Sequence, residues 1–341
     1  VATLSCLGVR RPSIAFVLAL GLMCVAVSCK NRGRPTTRVG SLPFPGPSTL
    51  FKAVSPEALG THSYTRPRGD EASRGTVYTC RAGFLDLAHI RFTVDWTRYV
   101  RDRVRAALRS GSERLVIEGM DDTTYEVVFR LPMAWSGLDG AARDAASADA
   151  ALRVAQRVAL LIGTWHEILT YSGYKSTGIL SEERSAFTYD DIASHVVGLQ
   201  VADVALARLD VSYDRAVTEA LDVRLRKLGV VDGDCLHEAI EIVRGTWWEG
   251  NRALVHQVPS SLETGSLVPL TVRGSSCCPV AAPRALELPP MGSELAEISI
   301  DSAPARELQI DRWVDAGPTA TRFTEDDVLR ILDDIRTRLD E

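Results

Sequence analysis

ADAALRVAQRVALLIGTWHEILTY, residues 148–171, carries Leu152, Ala155, Ala159, Ile162, His166 and Leu169 at alternating steps of three and four. That spacing lines one face of a long helix, so a helical core is the frame for the rest of the chain. His166 falls on the apolar stripe with Glu167 beside it, and an uncompensated charge in such a position is costly. Something must satisfy both groups.

The flanking sequence supplies more helices and a few strands. Residues 76–80 form a short strand candidate, Arg81-Ala82-Gly83 a turn, and 84–108 a helical stretch. Two alternating runs, 114–118 and 124–131, joined through Gly119-Met120-Asp121-Asp122, read as a β-hairpin. A further helix should start at Thr188, whose hydroxyl can cap while Asp190 and Asp191 complement the dipole, and run to about 209. Helical patterns follow at 214–228 and 235–243. A Pro- and Ser-rich stretch at 259–304 holds strand-like pieces such as 267–272, and a capped helix at 324–339 closes the chain. The sum is an α+β fold, mainly α, with a helical core, a β-hairpin and short C-terminal strands in one domain over 75–341.

Residues 1–28 read as a lipoprotein signal peptide. Arg10 and Arg11 form a basic start, 14–27 is apolar and uncharged, and small residues precede Cys29. The expected mature chain is held to a bacterial membrane through acyl chains on Cys29, with the outer membrane preferred because Lys30 replaces an inner-membrane retention aspartate. Residues 29–74 then read as the lipidated cysteine followed by a basic, Pro-rich tether. Eight Lys/Arg against three Asp/Glu over 30–74 suit anionic headgroups. The whole chain carries a net charge of -5, and 75–341 alone carries -12. An acidic body argues against nucleic acid as a partner, since phosphate binding needs clustered positive charge. Cys80, Cys235, Cys277 and Cys278 remain beyond the leader; in an oxidising envelope they allow two disulfides in three pairings, and sequence leaves the pairing open. Without a CxxC pair, no cysteine zinc site is expected.

Three segments place polar residues where helices ought to be apolar: FLDLAHIRFTVD (84–95), TWHEILTYSGY (164–174) and SAFTYDDIASHVVG (185–198). Asp86 and His89 share a face at i and i+3, and Asp191 and His195 do so at i and i+4. Structural duties compete for several of these residues. Asp86 suits a helix cap, Asp191 the third position of a capping box begun by Thr188, and Arg91 and Asp95 a local ion pair. HEILT at 166–170 begins like HExxH, but Thr170 stands where that motif needs its second histidine. Three helices each presenting a histidine near a carboxylate are what a helix-lined metal site requires. The expected ligands of a divalent metal such as zinc are His89, His166 and His195, with Asp86 in support; Glu167 could be a ligand or the base that deprotonates a bound water, and general base is its expected role. SxxK at 172–175 lacks its companion elements, His237-Glu238 lacks a second ligand, and Trp247-Trp248 reads as core or as an aromatic ledge.

The strings GTVYTCRAGFLDLAHIR (75–91), WHEILTYSGY (165–174) and SAFTYDDIASHVVG resemble a family of bacterial secreted and lipid-anchored proteins catalogued as a domain of unknown function. The resemblance covers most of 57–341 and implies an envelope protein of this size, without activity, substrate or cofactor. Two functions follow as expectations. One is a metal-dependent hydrolase acting on an envelope polymer or lipid. The other is a non-catalytic envelope lipoprotein whose buried His/carboxylate network fixes helix packing and whose surface binds an envelope protein or cell-wall ligand.

Overall fold

The computed structural model describes residues 33–341 apart from 39, 43, 46–50, 66–70, 73, 176–182, 263–264, 280–281 and 315–319. The chain divides after Arg34, and the architecture below is that of Pro35–Glu341. The leader and Cys29 lie outside the described residues. No helix among the described residues is long and apolar enough to cross a membrane.

Strands β1 (Thr76–Thr79) and β2 (Gly83–Asp86) form an antiparallel hairpin. Helix α1 (Leu87–Ser110) follows directly, then β3 (Arg114–Glu118), β4 (Thr123–Phe129) and α2 (Gly140–Tyr171). Residues 84–86, expected as the first turn of a helix, are therefore strand. Asp86 ends the strand and caps α1, its Oδ1 accepting from the Ala88 N–H at 2.8 Å. Helices α3 (Asp191–Ala207), α4 (Tyr213–Leu228) and α5 (Gly233–Ile242) come next, followed by the short ladders β5 (Trp248–Glu249) with β6 (Arg252–Ala253) and β7 (Ser266–Leu267) with β8 (Leu286–Glu287). Strand β9 (Ala296–Ser302), the single turn α6 (Ala303–Glu307), β10 (Arg322–Thr324) and α7 (Glu325–Asp340) complete the fold. Thr324 and Asp327 form the capping box at the start of α7.

Helix α2 is the centre of the molecule, packed by α1, α3 and α7. From 154 to 170 every residue is buried except His166. The apolar stripe through Leu152 and His166 thus understates the burial, because a helix enclosed on several sides has no single wet face. The mainly antiparallel component is a four-stranded sheet in the order β10-β9-β4-β3. Its alternation puts Tyr125 and Val127 of β4 and Ile298 and Ile300 of β9 inside. Phe323 of β10 packs on Trp165 of α2 with ring centroids 5.0 Å apart. The α+β, mainly α class holds.

Residues 35–74 are not a solvated tether in their described part. Arg38, Phe44, Val54, Leu59, His62, Ser63, Glu71 and Ala72 are all buried. Arg38 donates to Asp95 Oδ2 and Glu71 Oε1, each at 3.0 Å, and His62 Nε2 lies 2.9 Å from Asp95 Oδ1. Arg91 reaches Glu71 at 3.2 Å and the Leu59 carbonyl at 2.8 Å. The segment read as lipid-facing is fastened to α1 by charge, and Arg91 and Asp95 turn toward it. The domain accordingly begins near residue 35, not 75.

Cys80 pairs with Cys278 and Cys235 with Cys277. Two adjacent cysteines thus hold one loop to both the β1–β2 turn and the first turn of α5. Gly83 (φ +69°) makes this possible, since a Cβ there would lie 1.9 Å from the Leu270 carbonyl oxygen. Trp248 is buried and stacked on Phe44 at 5.4 Å, and Trp247 leans on Phe84 and Tyr189, so the two indoles serve packing.

Candidate metal centre

The N-terminal ends of α1 and α3 meet the C-terminal end of α2. The first turn of α1 brings His89, the cap and first two turns of α3 bring Asp190, Asp191 and His195, and the last two turns of α2 bring His166 and Glu167. Partial positive charge at the two helix starts favours the carboxylates gathered there. One ligand atom each from His89, Glu167 and His195 lies within 4.8 Å of the others. Ligand atoms around tetrahedral zinc are about 3.3 Å apart, given metal bonds of about 2.0–2.2 Å. Binding would draw the three side chains inward by side-chain rotation, and half-buried His89 has the most room to move.

A proton count settles the state of His195. Its Nδ1 lies 2.7 Å from Thr93 Oγ1, and that same hydroxyl is 2.9 Å from the His89 carbonyl, which can only accept. Thr93 has one proton, and spending it on the carbonyl leaves the His195 Nδ1–H to donate to Thr93. Nε2 then bears a lone pair. It is buried and without a hydrogen-bond partner among the described residues. Burial, and then the charges of His89 and His166, hold His195 well below the usual histidine range, so the ring is neutral. A neutral imidazole fixed through Nδ1 with a free Nε2 is the arrangement of a metal-binding histidine.

Glu167 is anchored in the same way. Its Oε2 accepts from the Phe187 N–H at 3.0 Å, and Oε1 is turned toward His89 Nε2 at 3.9 Å. His89 Nδ1 lies 3.2 Å from Asp86 Oδ2 and 3.4 Å from Asp191 Oδ1. Burial works against a charged His89, but Asp86, Asp191 and Glu167 outweigh it and hold the ring well above the usual range. Asp191 does serve the start of α3, its Oδ2 accepting from the Thr188 N–H at 2.6 Å and hydroxyl at 2.9 Å, while Oδ1 faces His89. Capping and site duties, weighed as rivals in the sequence, fall on the two oxygens of one carboxylate. Burial and the neighbouring Asp86 charge push Asp190 up to about 7.

The expected set is therefore rearranged. His89 and His195 come together as read, and Asp86 supports His89. Glu167 stands among the candidate ligands instead of behind them as base. His166 is outside the three-residue group, and its Nδ1 is held 2.7 Å from Asp121 Oδ2 on the β3–β4 turn. Cys235, Glu238 and Cys277 also converge, but the two cysteines are joined in a disulfide.

Glycines set the spacing. A Cβ on Gly163 would fall 2.5 Å from His195 Cε1 and 2.7 Å from Nε2, and one on Gly198 would fall 2.8 Å from the Ile90 carbonyl. Glycine costs about 1 kcal/mol inside a helix relative to alanine, so Gly163 in the middle of the quoted helix was itself a sign of close approach. Gly163→Ala is expected to destabilise the fold by about 1–3 kcal/mol through overpacking and to displace His195. The measurements are chemical unfolding and the His195 ring resonances; unchanged stability with an unmoved ring would contradict the contact. From the N-terminal segment, Ser41 donates its N–H to Asp86 Oδ2 at 2.8 Å, and Gly40 lies against His89. Thr93, Asp121 and this strap were not picked out in the sequence; Thr93 stands at i+4 from His89, which was the available signal.

The same charges predict a pH dependence. Unfolded aspartate releases its proton near 3.8, whereas folded Asp190 keeps it to about 7, so stability falls as pH rises between these values. His62 is also raised: burial lowers it, but Asp95 and Glu71 outweigh burial. Its contribution is present below 6.5 and is lost as pH rises through the folded value. Metal-free protein is expected to melt at lower temperature at pH 8 than at pH 5.5. An equal or higher melting temperature at pH 8 would refute this.

The family described as a protein of unknown function, DUF4056, matches residues 34–259. The chain belongs to DUF4056. The DUF4056 span begins earlier than the resemblance in the three blocks suggested, at the point where the packed domain starts, and it stops after β6. All of the candidate centre lies inside it. No curated protein and no solved structure matches the chain.

Proposed function

We propose that this DUF4056 chain is an envelope protein, lipid-anchored through Cys29, whose helical domain binds one divalent metal through His89, Glu167 and His195 and hydrolyses a bond in an envelope polymer or lipid. The observation that carries the metal reading is the buried and unpartnered Nε2 of His195 beside His89 and Glu167. A scaffold network would be expected to close on itself, and a buried acceptor without a donor costs free energy that a metal bond would recover. Two imidazoles and one carboxylate match the donor set of hydrolytic zinc sites that keep one position for water. Metal there lowers the pKa of bound water to about 7 and supplies hydroxide at neutral pH. Support for the envelope is chemical: two disulfides suit an oxidising compartment.

The deciding experiment is metal content by inductively coupled plasma mass spectrometry on residues 30–341, as purified and after dialysis against zinc, manganese or iron. About one equivalent is expected. No bound metal after reconstitution would overturn the proposal and favour the non-catalytic lipoprotein.

A further inference from the structure

Gly163, His166 and Glu167 stand at i, i+3 and i+4 on α2, so they share one face of the helix. That face is turned to the cluster, because Gly163 abuts the His195 ring and Glu167 reaches toward His89. Side chains on a helix lean toward its N-terminus, which carries the His166 ring over the turn that contains Gly163. His166 Nδ1 is fixed by Asp121, whereas Nε2 has no partner among the described residues and the side chain is 19% exposed. Of the residues from 154 to 170 in the central helix, this is the one that meets solvent.

The Asp121 carboxylate belongs to a tight turn. Thr123 N–H closes the turn on the Met120 carbonyl at 2.9 Å, and both central residues, Asp121 (φ +54°) and Asp122 (φ +49°), are left-handed. Turns of this kind favour glycine or asparagine, and a side chain there costs free energy that the surrounding sheet must offset. The carboxylate carried by this turn lies 2.7 Å from His166 Nδ1.

Resting on the metal reading above, we infer that His166 is the acid–base residue of the site and Asp121 its positioning residue. His89, Glu167 and His195 would hold the metal, which would supply an acidified water. His166 Nε2 would take one proton from that water, an O–H bond breaking as an N–H bond forms, while the oxygen adds to the electrophilic carbon of an ester or amide. As the bond from that carbon to the leaving oxygen or nitrogen breaks, Nε2 would return the proton to the leaving atom. Glu167, a ligand, is thereby relieved of the base role its HExxH-like setting suggested. Asp121 orients the ring, keeps Nδ1 protonated and stabilises the transient imidazolium.

The test uses cobalt(II), whose visible spectrum reports ionisation of its bound water, in residues 30–341 and the variants His166→Gln and Asp121→Asn. Expected is cobalt bound in all three, with the pH midpoint of the spectral change moved by more than about 0.5 unit in His166→Gln and less, in the same direction, in Asp121→Asn. Cobalt bound with an unmoved midpoint in His166→Gln overturns the acid–base role and leaves the metal site standing. Loss of cobalt in His166→Gln makes His166 a ligand and also overturns it. A shift in His166→Gln with none in Asp121→Asn removes Asp121 as the positioning residue. Failure of the parent to bind cobalt overturns the metal reading and this inference with it.

Discussion

Zinc affinity is expected to fall more than about 100-fold when His89, Glu167 or His195 is replaced by alanine. Changing partners that merely orient a ligand costs about 10–100-fold in many sites, and deleting a donor should cost more. Competition with a chromophoric chelator measures the loss, and circular dichroism establishes that the variant is folded. Glu167→Gln sharpens the test, because the amide oxygen can still accept from the Phe187 N–H while the charge is gone. Burial and then the Glu167 charge hold Asp191 well above the usual carboxylate range, so removing that charge relieves a repulsion in the metal-free protein. Glu167→Gln should thus bind zinc weakly, while in the metal-free protein the relief of Asp191 offsets the lost attraction to His89 and chemical unfolding changes little. A site kept for function gives loss of affinity with little loss of stability, whereas a structural network gives loss in both. Parallel losses would defeat the metal proposal.

Asp95→Ala should cost about 3–5 kcal/mol, the range for breaking a buried ion pair on one side. Asp95 accepts from Arg38, His62 and Tyr213, and the alanine leaves the Arg38 guanidinium with Glu71 as its remaining carboxylate among these contacts. Chemical unfolding of the metal-free protein measures the effect, and proteolysis near residues 35–65 should become faster because that segment loses its fastening. A change below about 1 kcal/mol would mean the network contributes little. The neighbouring site should respond too, since Ser41 and Gly40 of the same segment contact Asp86 and His89.

The sequence reading succeeded where the information is local. The helix periodicity, the hairpin at 114–131, the Thr324 cap and the pairing of Asp86 with His89 all depend on residues within a few positions of each other. It failed where the partner is distant. Arg38 reads as a tether residue until Asp95, 57 positions away, is placed beside it. Helical spacing gives the face of His166 but not the Asp121 carboxylate, 45 positions earlier, that holds its Nδ1. Glu167 stands out by the cost of its burial and His195 by its i, i+4 spacing from Asp191, yet only the Thr93 hydroxyl bears on which nitrogen of His195 is free. The two disulfides required geometry to choose among three pairings.

Strand β9 lies between β4 and β10 and pairs with β4 along seven residues, Thr123↔Ser302 through Phe129↔Ala296. The family match ends at 259, before β9. A chain cut there would keep every residue of the candidate centre and lose the neighbour of β4. The exposed edge of β4 would then offer a template for a second chain, which is how truncated sheets come to aggregate. The same exposure exists during synthesis, from the time β4 leaves the ribosome until residues 296–302 emerge, so a chaperone that shields unpaired strands would act on this protein through about half of its synthesis.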